Sequence, residues 1–159
     1  MEEASKKCSQ VKGIWFFGLA GAGKTFASKI CAELIDKAFI IDGDDVRNFI
    51  SFDLGYSSSD REIQIKRVLG LSEITLKNNR MPIVSTVTMS HEINMRCNQL
   101  GIELVNIIRP NDQISKVRKI YEAGTNVVGK DIKEKSFDTL KLCNNGDAEF
   151  EKRIKSLVK

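Results

Sequence analysis

The chain has 159 residues, 42% of them hydrophobic, with 25 basic and 21 acidic side chains for a net charge of +4, which suits one domain with a real core and leaves little room for two. An aromatic share of 7% with no interleaved basic and aromatic stripe argues against a nucleic-acid-binding surface, and no apolar run approaches membrane-spanning length. Cys8, Cys31, Cys97 and Cys143 lie far apart without CxxC spacing, and His91 is the only histidine, so no zinc pattern exists and the cysteines read as reduced, mostly buried thiols.

Residues 1–10 read as a polar leader without the apolar segment of a signal peptide, which points to a cytoplasmic protein whose single domain spans 11–159. The next stretch, VKGIWFFGLAGAGKT, is a strand over 14–17 that empties into a glycine-rich loop with a helix behind it over 26–34. Gly18, Gly23, Lys24 and Thr25 match the phosphate-loop spacing in its required strand-to-helix setting. The residue types follow from the chemistry. Backbone N–H groups wrap a polyphosphate only where side chains stand aside, hence Gly18, Gly21 and Gly23, with Ala22 between them. The helix start adds its positive dipole end, Lys24 reaches the β- and γ-phosphates of ATP, and the Thr25 hydroxyl is placed to hold Mg²⁺.

A buried strand over 38–41 then ends at Asp42-Gly43-Asp44-Asp45, at the edge where open α/β sheets bind ligands. A helix is expected over 46–52, a loop over 53–59, and a long helix over 60–77 capped by Asp60, with Ile63, Val68, Leu71, Ile74 and Leu76 inward. A third strand covers 82–87, a helix 92–100 and a fourth strand 102–108. A basic helix over 113–123, a polar loop over 124–136, a strand over 137–143 and an amphipathic helix over 147–158 complete the chain, the last with Phe150, Ile154, Leu157 and Val158 inward. Trp15 reads as core or an interface, and His91 as a polar surface or capping residue. Alternating strands and helices predict an α/β fold: a three-layer P-loop kinase architecture with a mainly parallel five-stranded sheet flanked by helices.

The stretch that follows the second strand carries a resemblance. Asp42-Gly43-Asp44-Asp45-Val46-Arg47, Asp53-Leu54-Gly55-Tyr56, Ser59-Asp60-Arg61 and Lys66-Arg67 resemble, in order and spacing, the DGDNVR, DLGF and EDR motifs and the basic pair of the adenylylsulfate (APS) kinase family. The resemblance implies ATP-dependent phosphorylation of a ribose 3′-hydroxyl on a nucleotide mixed anhydride. It assigns Asp42 to Mg²⁺ and the attacking hydroxyl with Asp44 close by, Arg47 and Arg61 to the acceptor's phosphate end, and Tyr56 to its base. It also allows a homodimer.

The acceptor side departs from the family. Thr86-Val87-Thr88-Met89 stands where the family has an FISP-like segment and keeps only the Thr88 hydroxyl, and Val127 or a neighbour replaces a phenylalanine that packs on the acceptor's adenine. Losing an aromatic face changes which base is preferred. The expected acceptor is therefore either APS or cytidine diphosphoramidate, the latter from the phosphoramidate branch of capsular polysaccharide synthesis. The competing readings are a nucleoside-monophosphate or small-metabolite kinase and a nucleotide-binding module without catalysis. Arg109, Arg118 and Lys119 are candidates for a basic lid.

Overall fold

The computed structural model describes residues 11–110, 128 and 136–159. The polar leader, the basic helix at 113–123 and nearly all of the 124–136 loop, with Arg118, Lys119 and Val127, lie outside the described residues.

Strands β1 (Gly13–Phe17), β2 (Ala38–Asp42), β3 (Met81–Thr86), β4 (Ile102–Ile108) and β5 (Leu140–Cys143) form one sheet in the order β2-β3-β1-β4-β5. Every pairing is parallel. Helices α1 (Lys24–Leu34), α2 (Gly43–Phe49), α3 (Ser58–Lys77), α4 (His91–Leu100) and α5 (Ala148–Ser156) complete the described elements. The predicted three-layer α/β architecture is the one observed.

Strand alternation divides the core. Ile14, Phe16 and Ile83 face one side of the sheet and pack with Ala27, Ile30 and Cys31 of α1 and Phe150 and Ile154 of α5. Trp15, Phe17 and Val84 face the other and pack with Ile65 and Val68 of α3 and Ile93 and Cys97 of α4. Burial pushes the Cys31 thiol up to about 11. Burial, then the nearby Glu73 charge, pushes Cys97 to about 12, so both stay protonated near neutral pH. Cys143 is exposed.

The start of α2, the cap of α3 and the inward stripe of α3 differ from expectation for local reasons. Helix α2 begins at Gly43, because Asp42 ends β2 and also caps the helix, its carboxylate accepting from the Asp44 N–H. The cap of α3 is Ser57 and not Asp60. The Ser57 hydroxyl accepts from the Asp60 N–H at 3.2 Å and donates to the Asp60 carboxylate at 2.7 Å, so Asp60 sits inside the first turn. The inward stripe of α3 is Gln64, Ile65, Val68, Ser72 and Thr75, whereas Ile63 and Ile74 are exposed. Among the described residues no helix is long and apolar enough to cross a membrane.

Candidate functional site

The loop after β1 is shaped by its glycines. Gly18 and Gly23 have φ of 146° and 109°, in the region that favours glycine. A Cβ on Gly18 would run into the Ile107 carbonyl oxygen, and one on Gly23 would lie 2.5 Å from Asn144 Nδ2. Helix α1 then starts without a side-chain cap and without an acidic residue in its first turn. The other four described helices are all capped, by Asp42, Ser57, Ser90 and Asp147. The leading N–H groups of α1 thus point at the loop, the arrangement that attracts an anion. Lys24 is buried in the same curve, its Nζ donating to the Leu19 carbonyl at 2.8 Å.

Asp42 faces this cradle because of sheet parity. In the parallel register it sits beside Ser85, and both project to the α1 side of the sheet, where Ile83 and Phe16 also point. Its Oδ2 accepts from the hydroxyls of Thr25 (2.8 Å) and Ser85 (2.9 Å), and its Oδ1 from the Asp44 N–H (2.9 Å). A carboxylate has about four acceptor sites, so one remains on Oδ1. Asp44 is exposed in the first turn of α2.

Across the cavity stands a second group. Arg47 lies over the Tyr56 ring, 4.3 Å from its centroid, and Arg61 lies 5.5 Å from the same centroid. Arg47 also donates to the Gly55 carbonyl and Arg61 Nε to the Tyr56 carbonyl. Burial first, and the Arg47 charge second, lower the pKa of Arg61. Two guanidiniums crowded on one ring favour an anion between or beside them. The Arg67 fork grips the Asp53 carboxylate at 2.6 and 2.8 Å, lowering the Asp53 pKa chiefly through that hydrogen bond, and ties the 53–56 turn to α3. Lys66 pairs instead with Glu92 at 3.2 Å.

One cavity of about 790 Å³ joins the two groups, lined among others by Gly21, Gly23, Lys24, Thr25, Asp42, Asp44, Arg47, Tyr56, Arg61 and Thr88. Gly18 and Ala22 hold the cradle from behind: Ala22 is fully buried, and its carbonyl accepts from Asn144 Nδ2 at 2.7 Å. Thr88 is placed by a relay in which Trp15 Nε1 donates to the Thr86 hydroxyl, which donates to the Thr88 carbonyl, at 2.8 and 2.9 Å. His91 is exposed at the start of α4, with its ring 4.9 Å from that of Phe137.

Four lining or bracing residues had no motif to announce them. Phe26 and Gln64 line the cavity, and Ser85 and Asn144 brace it. Ser85 is readable only as the residue beside Asp42 once the strand pairing is known. Arg109, a lid candidate by sequence, donates to the Gly21 carbonyl at 3.3 Å.

A family sequence model described as adenylylsulphate kinase matches residues 10–109, well over half of the chain. An adenylyl-sulfate kinase of Picosynechococcus is 37% identical over 98 residues, 59% of this chain and 55% of that protein. One of Pseudomonas aeruginosa is 37% identical over 95 residues, 57% of this chain and 48% of that protein. The aligned stretch thus spans about half the length of these curated relatives. The solved structure of the Mycobacterium tuberculosis APS kinase in complex with AMPPNP and APS superposes with a TM-score of 0.79 at 20% identity, covering 92% of this chain and 95% of that one, and so shares its fold.

Proposed function

The chain belongs to the adenylylsulphate kinase family, and from that premise we propose that it transfers the γ-phosphoryl group of ATP to the ribose 3′-hydroxyl of a nucleotide mixed anhydride. The observation that carries this reading is the Thr25 hydroxyl bonded to the Asp42 carboxylate at 2.8 Å, in a cavity that also holds Lys24 and the Arg47–Tyr56–Arg61 group. Phosphoryl transfer asks mainly for positioning and for fixed charge around the migrating group. Lys24 and the α1 N–H groups supply that charge on the donor side. Asp42, whose Oδ1 keeps one acceptor site, would take the hydrogen bond of the incoming hydroxyl and orient it. Arg47 and Arg61 hold the acceptor's phosphate end, and Tyr56 with Thr88 borders its nucleoside.

Mg²⁺ fits the donor set. Thr25 and Asp42 offer hard oxygen ligands, and Mg²⁺ characteristically takes one or two protein oxygens and completes its shell with phosphates and water. Among the described residues no three His, Cys, Asp or Glu side chains cluster as a protein-only cage. When bound, the ion would neutralise charge on the β- and γ-phosphates.

Two acceptors meet this description, APS and cytidine diphosphoramidate. A coupled assay for ADP release across both, with CMP and AMP as simple acceptors, separates them. Turnover is expected with one of the two anhydrides. It should fall ~100-fold or more in Asp42→Ala, in line with removing a positioned proton acceptor, and be lost in Lys24→Ala. Turnover with CMP or AMP alone would move the chain to the nucleoside-monophosphate kinases. ATP binding without transfer to any acceptor would leave a nucleotide-binding module.

A further inference from the structure

Phe26 is a large apolar side chain that the core does not use. The inward stripe of α1 is Ala27, Ile30 and Cys31, while Phe26 is 50% exposed and lines the cavity one residue past Thr25. Its ring has an aromatic neighbour. It lies nearly parallel to that of Phe150, at an interplanar angle of 21° with centroids 6.2 Å apart. Phe150 is 2% exposed and fixed in the α1–α5 cluster, so close to the loop that a Cβ on Gly23 would come within 3.3 Å of its ring. One side of Phe26 is therefore backed by the buried Phe150 ring, while its exposed part contributes to the cavity wall.

The position of Phe26 in the layers separates it from the Arg47–Tyr56–Arg61 group. Phe26 and Phe150 belong to the α1–α5 side of the sheet, whereas Arg61 and the Tyr56 turn are tied to α3 on the opposite side, and both groups reach the same cavity. Phe26 follows Thr25 directly, so a ligand seated in the loop and turned toward the α1–α5 end would meet its ring, leaving the Arg47–Tyr56–Arg61 end to an acceptor. We propose that Phe26, backed by Phe150, is the platform on which the base of the phosphate donor stacks. This inference rests on the kinase reading for the identity of the donor, and a planar aromatic face of this kind suits any nucleobase because every base has a π-face.

Calorimetry on the chain without acceptor tests it, with ATP and inorganic tripolyphosphate as the two probes. Phe26→Ala is expected to weaken ATP binding ~5-fold or more, the lower end of what base–aromatic stacking contributes, and to leave tripolyphosphate affinity unchanged. Phe26→Trp, which restores a ring, should keep ATP affinity. Equal losses for both probes in Phe26→Ala would mean a distorted loop and overturn the proposal, as would unaltered ATP binding or a Trp variant as weak as Ala. Because no acceptor is present, a protein that binds ATP through Phe26 yet phosphorylates nothing overturns the transfer reading and leaves this one standing.

Discussion

Arg61 shows how a single side chain takes its role from its neighbours. On sequence spacing alone it is an ordinary arginine in the first turn of a helix. In the fold it shares the Tyr56 ring with Arg47, and its charged form is disfavoured by burial and by the second guanidinium. An anionic ligand relieves both penalties. Arg61→Ala is therefore expected to raise the acceptor KM ~10-fold or more, the scale of hydrogen bonds to a charged group, while the KM for ATP stays near its original value. Arg61→Lys should recover little, because an ammonium lacks the planar fork. Steady-state kinetics with each substrate varied in turn decide the matter, and an unchanged acceptor KM would remove Arg61 from the site. Asp42 teaches the complementary lesson. Its place at a strand end was legible, but its direction toward Thr25 follows from sharing a sheet face with Ser85, which requires the β2–β3 register.

At the scale of elements, helix α3 marks where sequence reading and structure part. A hydrophobic count selects Ile63 and Ile74 for the core, yet both are exposed. The buried Ser72 and Thr75 are hidden from such a count because their hydroxyls donate to the carbonyls of Val68 and Leu71 within the same helix, which removes the cost of burying them. The serine run at 57–59 similarly obscures the helix start, and only the reciprocal Ser57–Asp60 bonding selects one of the three. Ser57→Ala is expected to cost about 1 kcal/mol of stability through loss of that cap. Urea unfolding reads it as a lower midpoint with an unchanged slope. An unchanged midpoint would show that Asp60 or a neighbouring serine takes over the cap. Apolar runs mark the strands closely, most fully β4, where the expected and observed limits coincide at Ile102 and Ile108. The last strand is shorter than its apolar run, because Phe137 is buried against Phe17 from outside the sheet, with ring centroids 5.6 Å apart.

For the whole molecule, the sheet order sets β1 between β3 and β4, so that the phosphate loop and the Thr86–Ser90 segment emerge side by side from the middle of the sheet. Ligand sites in open α/β sheets gather at such a place. What no local pattern reveals is the closure from the far end of the chain. Asn144 follows β5, holds the Ala22 carbonyl at 2.7 Å, and also accepts from the Gly146 N–H. Asn144→Ala strands a buried carbonyl and is expected to cost about 1–3 kcal/mol, with weaker ATP binding alongside the lower melting temperature. Retained ATP affinity in a destabilised variant would mean that the loop keeps its shape unaided.

That clasp spans 122 positions of sequence. During synthesis the glycine loop is made well before its rear wall, formed by Asn144 and Phe150. A nascent polypeptide stalled before Asn144 would thus carry the motif in full and still lack the finished nucleotide seat. The loop reaches its described shape only once Asn144 has come back to meet it.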